Sequence, residues 1–320
     1  MRDVLERQQV WIYFAAVALA AITGVTVSGT GELESAINPA LAFMLFVTFL
    51  QVPLPEIAKG LRQRRFLGAL LVSNFIAIPI LAFLLAQLAI DDRLLRLGIL
   101  MVLLTPCIDY VITFAHLGRA DARLLLSSTP VLLLVQMALL PIYLGVFLGD
   151  EAADVVRAGP FVHAFVWLIA APLICAGAVQ IWAPRHRARQ RVSDVLGHLP
   201  VPTTALVLFL VVAATVPVLG AASRHALSAL PIYIAFAAIA PCLGWGIARA
   251  FGLQSAAGRA VSFSTATRNS LVVLPLALAV PGAVPVLPAV IVTQTLVELV
   301  AELIYIRVLP RLGRAQGRRY

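Results

Sequence analysis

The chain has 320 residues, 61% of them hydrophobic and only 12% charged, with a mean hydropathy of +0.98, a composition far from that of a soluble globular protein. That much apolar sequence suffices for ten helical spans of about 20 residues each, and it excludes secreted, cytosolic and nucleic-acid-binding readings. The net charge of +9 is therefore read first as a topology signal, not as a footprint for nucleic acid.

In chain order, charged and Gly/Pro-rich breaks leave ten apolar segments, near 10–28, 36–54, 66–90, 97–116, 124–148, 159–182, 199–220, 227–250, 259–281 and 284–307. The first follows a short head bearing Arg2 and Arg7, is too long for a signal-peptide core and leads into no soluble domain, so it is expected to be a retained span. The head, the even-numbered gaps and the tail hold 19 of the 24 basic residues; the opposite gaps hold only Arg93, Arg96, Arg157 and Arg224. The positive-inside rule then places both termini in the cytoplasm of a cell (inner) membrane protein. All gaps are short, which leaves no room for a soluble catalytic domain. The three cysteines lie inside apolar runs and suggest no disulfide framework.

Two sets of five spans share landmarks at a near-constant offset. Val52-Pro53 recurs as Val216-Pro217, Pro79 as Pro241, Gln136 as Glu298, and Cys107 falls opposite Asn269. Because five is odd, the second set enters the membrane from the other side, so residues 1–150 and 151–320 are expected to be inverted five-helix repeats of one membrane domain. The expected fold class is an all-α polytopic membrane protein of ten transmembrane helices.

The corresponding fourth and ninth segments are the unusual ones. The fourth carries LLTPCIDYVITF, where Pro106 removes a backbone donor and disfavours helix at Thr105 about ten residues into the span. The ninth carries SFSTATRNSLVVLP, a run of small hydroxyl residues ending in Arg268 and Asn269. Irregular backbone at that depth is tolerated only where it lines a cavity or is buried in protein, so both breaks point to one central site.

Arg268 is the most informative residue, since an arginine at a helix centre costs about 2.5 to 3.5 kcal/mol on insertion scales and cannot shed its proton. It needs a partner, and Asp109 on the fourth span is the expected one, in a transport-linked or a structural pair. Glu298 on the tenth span is an intramembrane acid able to load and release a proton. Glu302, one turn on, is expected nearer the cytoplasmic interface. Cys107 beside the break is a candidate contact for a thiophilic solute, while Cys175 and Cys242 are expected to be apolar fillers. Thr105, Thr267 and Asn269 complete the expected substrate site. Gln51, Asn74, Gln136 and Gln294 either line the cavity or join neighbouring helices. His163 is expected near an interface and His116 near a helix end, so neither is a ligand candidate. The sequence has no paired-histidine metal motif, serine elbow or phosphate-binding loop, so no enzyme, metal or cofactor is expected.

The segments LAFMLFVTFLQVPL, TPCIDYVITFAHLGRADARL and TATRNSLVVLPLALAVP resemble the bile acid:sodium symporter superfamily, and more narrowly its arsenite-efflux branch of arsenic resistance permeases. The resemblance implies inverted five-helix repeats arranged as a panel and a core, with helices four and nine unwound and crossing at the midplane. It also implies an arsenite contact at Cys107 and an acid at Glu298. Where that branch has Asn-Asn-x-Glu in its ninth helix, this chain has Arg268-Asn269-Ser270-Leu271, a swapped charge arrangement with an acid, Asp109, on helix four. Leu271, Val272 and Val273 could not cage sodium with oxygen atoms and Arg268 would repel it. The expected function is therefore proton-coupled efflux of arsenite or a related small oxyacid by alternating access, with Asp109, Arg268 and Glu298 handling charge. The alternatives are an organic-anion carrier of the same fold and a non-transporting membrane sensor. Solute, protons and lipid are the expected partners; the oligomeric state is left open.

Overall fold

The computed structural model describes residues 2–50, 63–108, 110–148, 163, 165–182, 195–278, 280, 282 and 285–313. Among these residues the structure is helical, with no strand beyond one isolated bridge. The helices are α1 (Arg2–Thr26), α2 (Glu34–Leu50), α3 (Arg64–Val72), α4 (Ile78–Ala86), α5 (Arg93–Leu103), α6 (Val111–Leu117), α7 (Ala122–Leu148), α8 (Ala171–Trp182), α9 (Pro200–Ala250), α10 (Ser255–Ala266), α11 (Ser270–Leu278) and α12 (Val286–Val308).

Among the described residues, six stretches are long and apolar enough to cross a bilayer: Thr30–Leu50, Arg64–Ala89, Ala122–Leu148, Pro200–Pro217, Ala222–Ala250 and Val286–Arg311. The outward surface suits lipid, because Trp11, Val25, Leu88, Val146 and Ile174 are exposed, whereas Arg268, Glu298 and Glu302 are buried. Polar groups thus sit inside and apolar ones face out. These features describe an integral membrane protein.

The expected seventh and eighth spans run as one helical element, α9, with Pro217, Pro231 and Pro241 inside it. The linking residues 221–230 are mostly alanine, leucine and serine and contain no obligatory stop, so helix propagates through them. A straight helix of this length would reach roughly 77 Å, over twice a hydrocarbon core, so its two apolar stretches count as separate span candidates. The fourth and ninth expected spans are each divided, α5 from α6 and α10 from α11, and no half is long enough to cross alone.

Between α3 and α4 the chain widens into a π segment, Ser73–Ala77. Pro79 has no N–H to give the Phe75 carbonyl one turn earlier, and the Tyr143 hydroxyl of α7 donates to that oxygen at 2.5 Å. The same device recurs on α9, where Pro241 frees the Ala237 carbonyl and the Tyr305 hydroxyl of α12 donates to it. Pro79 and Pro241, Phe75 and Ala237, and Tyr143 and Tyr305 are each 162 positions apart.

Packing falls into two groups joined by α9. One comprises α2 and α8, with α1 attached through α9; the other comprises α3 to α7 with α10 to α12, and α9 packs on members of both. α2 also touches α11.

Candidate functional site

The two divided helices cross at their breaks. α5 ends at Leu103 and α10 at Ala266, after which Thr267 turns to extended backbone, with φ −101° and ψ 128°. Pro106 and Arg268 then face each other in an antiparallel bridge. The Cys107 N–H donates to the Thr267 carbonyl at 3.0 Å, and the Asn269 N–H donates to the Thr105 carbonyl at 2.8 Å. A shift of 162 positions turns each bond into the other.

In this pairing the N–H groups of the facing residues point away from the partner strand. Pro106 has none to satisfy. Arg268 has one, and Glu298 Oε2 on α12 accepts it at 2.6 Å. The same carboxylate takes the Tyr110 hydroxyl on Oε1 and the Gln294 side-chain N–H on Oε2 at 2.6 Å. Glu298 therefore ties α12 to both breaks.

The Arg268 side chain is fully buried at 0% exposure. Nη2 donates to Asn74 Oδ1 at 2.8 Å and to the Ser264 carbonyl at 2.5 Å, and Nη1 to the Leu103 carbonyl at 3.3 Å. Its carbon centre stands 5.6 Å from the middle of the Phe236 ring, a cation–π contact. Asn74 comes from the π segment, which fits the habit of π-bulges of marking functional positions. Its amide also donates to Ser264 Oγ at 3.0 Å.

Among the described residues several buried polar atoms here lack a partner: Arg268 Nε, Asn269 Nδ2, Gln294 Oε1 and Glu302 Oε2. Buried polar atoms are normally satisfied, so their concentration around one crossing marks a place for something hydrogen-bonding. A small cavity beside them has room for about one water molecule and is lined by Tyr233, Phe236, Gln294, Glu298 and Tyr305, among others.

The structure brings together Thr105, Cys107, Thr267, Arg268, Asn269, Asn74, Gln294 and Glu298 from the expected set. Cys107 is fully buried. Thr105 Oγ1 bonds back to its own helix at Met101 and Val102, so its contribution to the crossing is its carbonyl. Asp109 and Gln51 lie outside the described residues. Within those residues the Arg268 guanidinium takes neutral oxygens as its hydrogen-bond partners. Gln136 is buried on α7 but makes no hydrogen bond to this cluster. His116 occupies the last turn of α6 and His163 is exposed, while Cys175 and Cys242 are exposed on apolar helices.

Glu302 corrects its expected interfacial position. It is fully buried, and its Oε1 lies 2.5 Å from Thr267 Oγ1; the Thr267 break folds back to meet it, where the sequence showed only an acid near a helix end. Tyr110, Ser264 and Phe236 were not expected at all. Tyr110 directly follows the fourth-span break, and that adjacency was the available signal.

The sequence model for the Sodium Bile acid symporter family matches residues 38–223, more than half of the chain. No curated protein matches it significantly.

Proposed function

We propose that the chain, which belongs to the sodium bile acid symporter family, carries a small anionic solute through the crossing of its two divided helices. Its membership makes it a membrane transporter of the bile acid symporter type. The finer reading rests on one observation. A fully buried arginine keeps its guanidinium on neutral oxygens, with Nε unpartnered, at the point where the two breaks meet. Such a permanently charged group, desolvated and preorganised, recognises carboxylate or oxyanion groups, and Asn269 Nδ2 offers a second unused donor.

Glu298 already balances one positive charge in this space, so an entering anion needs compensation. Protonation of the carboxylate supplies it, which couples solute movement to protons through Glu298 and supports secondary transport without nucleotide hydrolysis. Alternating access then consists of rocking the α1, α2 and α8 group against the group holding the crossing, as panel against core. The two inverted repeats of that scheme, 1–150 and 151–320, draw support from the tyrosine-capped carbonyls and the bridge bonds that recur 162 positions on. The basic-residue distribution favours both termini in the cytoplasm of a cell membrane.

A second reading, efflux of arsenite or a related oxyacid, is favoured by Cys107, a thiol buried at the bridge itself. The two separate in cells lacking their own arsenite exporters, expressing wild type, Cys107→Ser or Arg268→Ala at checked levels. Wild type that lowers arsenite accumulation, with Cys107→Ser inactive, selects arsenite. Wild type that leaves arsenite unchanged but moves a labelled carboxylate, with Arg268→Ala inactive, selects the anion carrier. Good membrane expression with neither solute moved removes both.

A further inference from the structure

We infer that Gln136 lines the solute path and is a ligand of the solute, on the opposite side of the crossing from Glu298; this rests on the crossing being the transport site. Gln136 is 1% exposed, and neither its Oε1 nor its Nε2 has a partner. A carboxamide left like this in an apolar bundle costs free energy that a leucine of similar volume would not.

Its position explains the missing partner. Tyr143 and Tyr305 perform the same capping task on α7 and α12, which fixes the correspondence of those two helices at 162 positions. Gln136 precedes Tyr143 by the same seven residues by which Glu298 precedes Tyr305. The bridge carries the correspondence into the site, because Pro106 stands opposite Arg268. Glu298 holds the Arg268 N–H. The matching residue, Pro106, has no N–H, so Gln136 lacks the donor that its counterpart enjoys.

Gln136 also lies midway along α7 on the buried stripe of Leu125, Thr129, Leu132, Leu133 and Leu140. α7 packs against α5, α6 and α10, arms of both divided helices. The amide therefore lies on the buried face of α7, the helix that packs on arms of both divided helices.

A carboxamide presents both a donor and an acceptor. A solute group that both donates and accepts would satisfy it in one contact, which favours a hydroxyl or an undissociated acid group on the solute, beside the anionic group held at Arg268. The matching positions of Gln294 and Glu302 on this side are Leu132 and Leu140, so Gln136 is the one polar contact those three positions provide there.

The test is thiol labelling in membranes. With Cys175→Ala and Cys242→Ala, native Cys107 reports access to the crossing; with Cys107→Ala added, Gln136→Cys and Leu134→Cys, the latter on the exposed apolar side of α7, are compared using a hydrophilic methanethiosulfonate reagent. The inference predicts that Gln136→Cys reacts roughly tenfold or more faster than Leu134→Cys. Equal, slow reaction at both, with Cys107 reactive, overturns it while leaving the transport site standing. No reaction at Cys107 or Gln136→Cys removes the transport site and the inference together. Gln136→Leu supplies a second reading in the flux assay, using whichever of arsenite and the carboxylate the wild type moves. A ligand role predicts a raised KM together with a raised Tm, and an unchanged KM contradicts it.

Discussion

Glu298 Oε2 accepts the main-chain N–H of Arg268 at 2.6 Å, while the guanidinium of that residue turns away to Asn74, Ser264 and Leu103. The acid thus holds the unwound backbone in shape and the arginine head is kept for other work. The division of labour leads to different expectations for the two side chains.

Replacing Glu298 with leucine leaves the Arg268 N–H and the Gln294 amide without their acceptor, and takes from the Tyr110 hydroxyl its shorter contact while the Arg268 carbonyl at 3.4 Å stays. Each orphaned buried donor costs about 1 to 3 kcal/mol, so Glu298→Leu should lower the Tm of the detergent-purified protein by several degrees. Glu298→Gln retains an acceptor oxygen and is expected to fold. It cannot exchange a proton, so its flux in proteoliposomes should no longer respond to an imposed pH gradient; a preserved response refutes the coupling role.

Arg268→Lys keeps the charge but not the planar fork. One ammonium cannot serve the oxygens of Asn74, Ser264 and Leu103 together or lie flat over Phe236. Losing one charge-assisted contact is worth about 1.5 to 3 kcal/mol, so kcat/KM for the transported anion should fall at least tenfold. Flux measured at equal reconstituted protein checks this.

Tyr143→Phe and Tyr305→Phe each strip a hydroxyl from a carbonyl that proline has already deprived of its helical partner. Each should cost about 1 kcal/mol, and because they share no partner the double variant should show the sum. Thermal unfolding of the three variants decides it. A loss confined to one tyrosine would mean that the two contacts are not equivalent.

Gly244 permits a close approach of α9 to α10. A Cβ there would meet the Ser262 Cα at 3.0 Å and Thr265 Oγ1 closer still, whereas at Gly246 it would meet nothing within 4 Å. Gly244→Ala should therefore destabilise by about 1 to 3 kcal/mol, while Gly246→Ala should be neutral or gain up to about 1 kcal/mol from helix propensity. Comparison of the two melting temperatures is the check.

Much of this was legible in the sequence because its causes are local. Pro106 and the Ser262–Asn269 run each remove helical preference where they stand, so the breaks and their meeting could be anticipated. The offset between Pro79 and Pro241 was visible, but the tyrosines that cap the freed carbonyls come from α7 and α12, and nothing local to either proline announces them. Arg268 is fully buried beside both breaks. Charge matching pointed to Asp109, which lies outside the described residues; the neutral oxygen of Asn74 was not legible, because a π segment next to Pro79 delivers it. Glu302 was misjudged by counting residues from the helix end, because its burial depends on where Thr267 folds back. The continuity of α9 was hidden for the opposite reason: Arg224 and His225 look like a boundary, yet neither residue stops a helix.

The central claim is that the buried crossing is opened to each side of the membrane in turn. Cys107 measures this without knowledge of the solute: in the Cys175→Ala, Cys242→Ala protein, an impermeant maleimide is applied to right-side-out and then to inside-out vesicles. The account predicts that Cys107, fully buried in this structure, is labelled from both sides. Labelling from neither, in protein shown to be folded, would contradict it and leave the crossing a closed structural core.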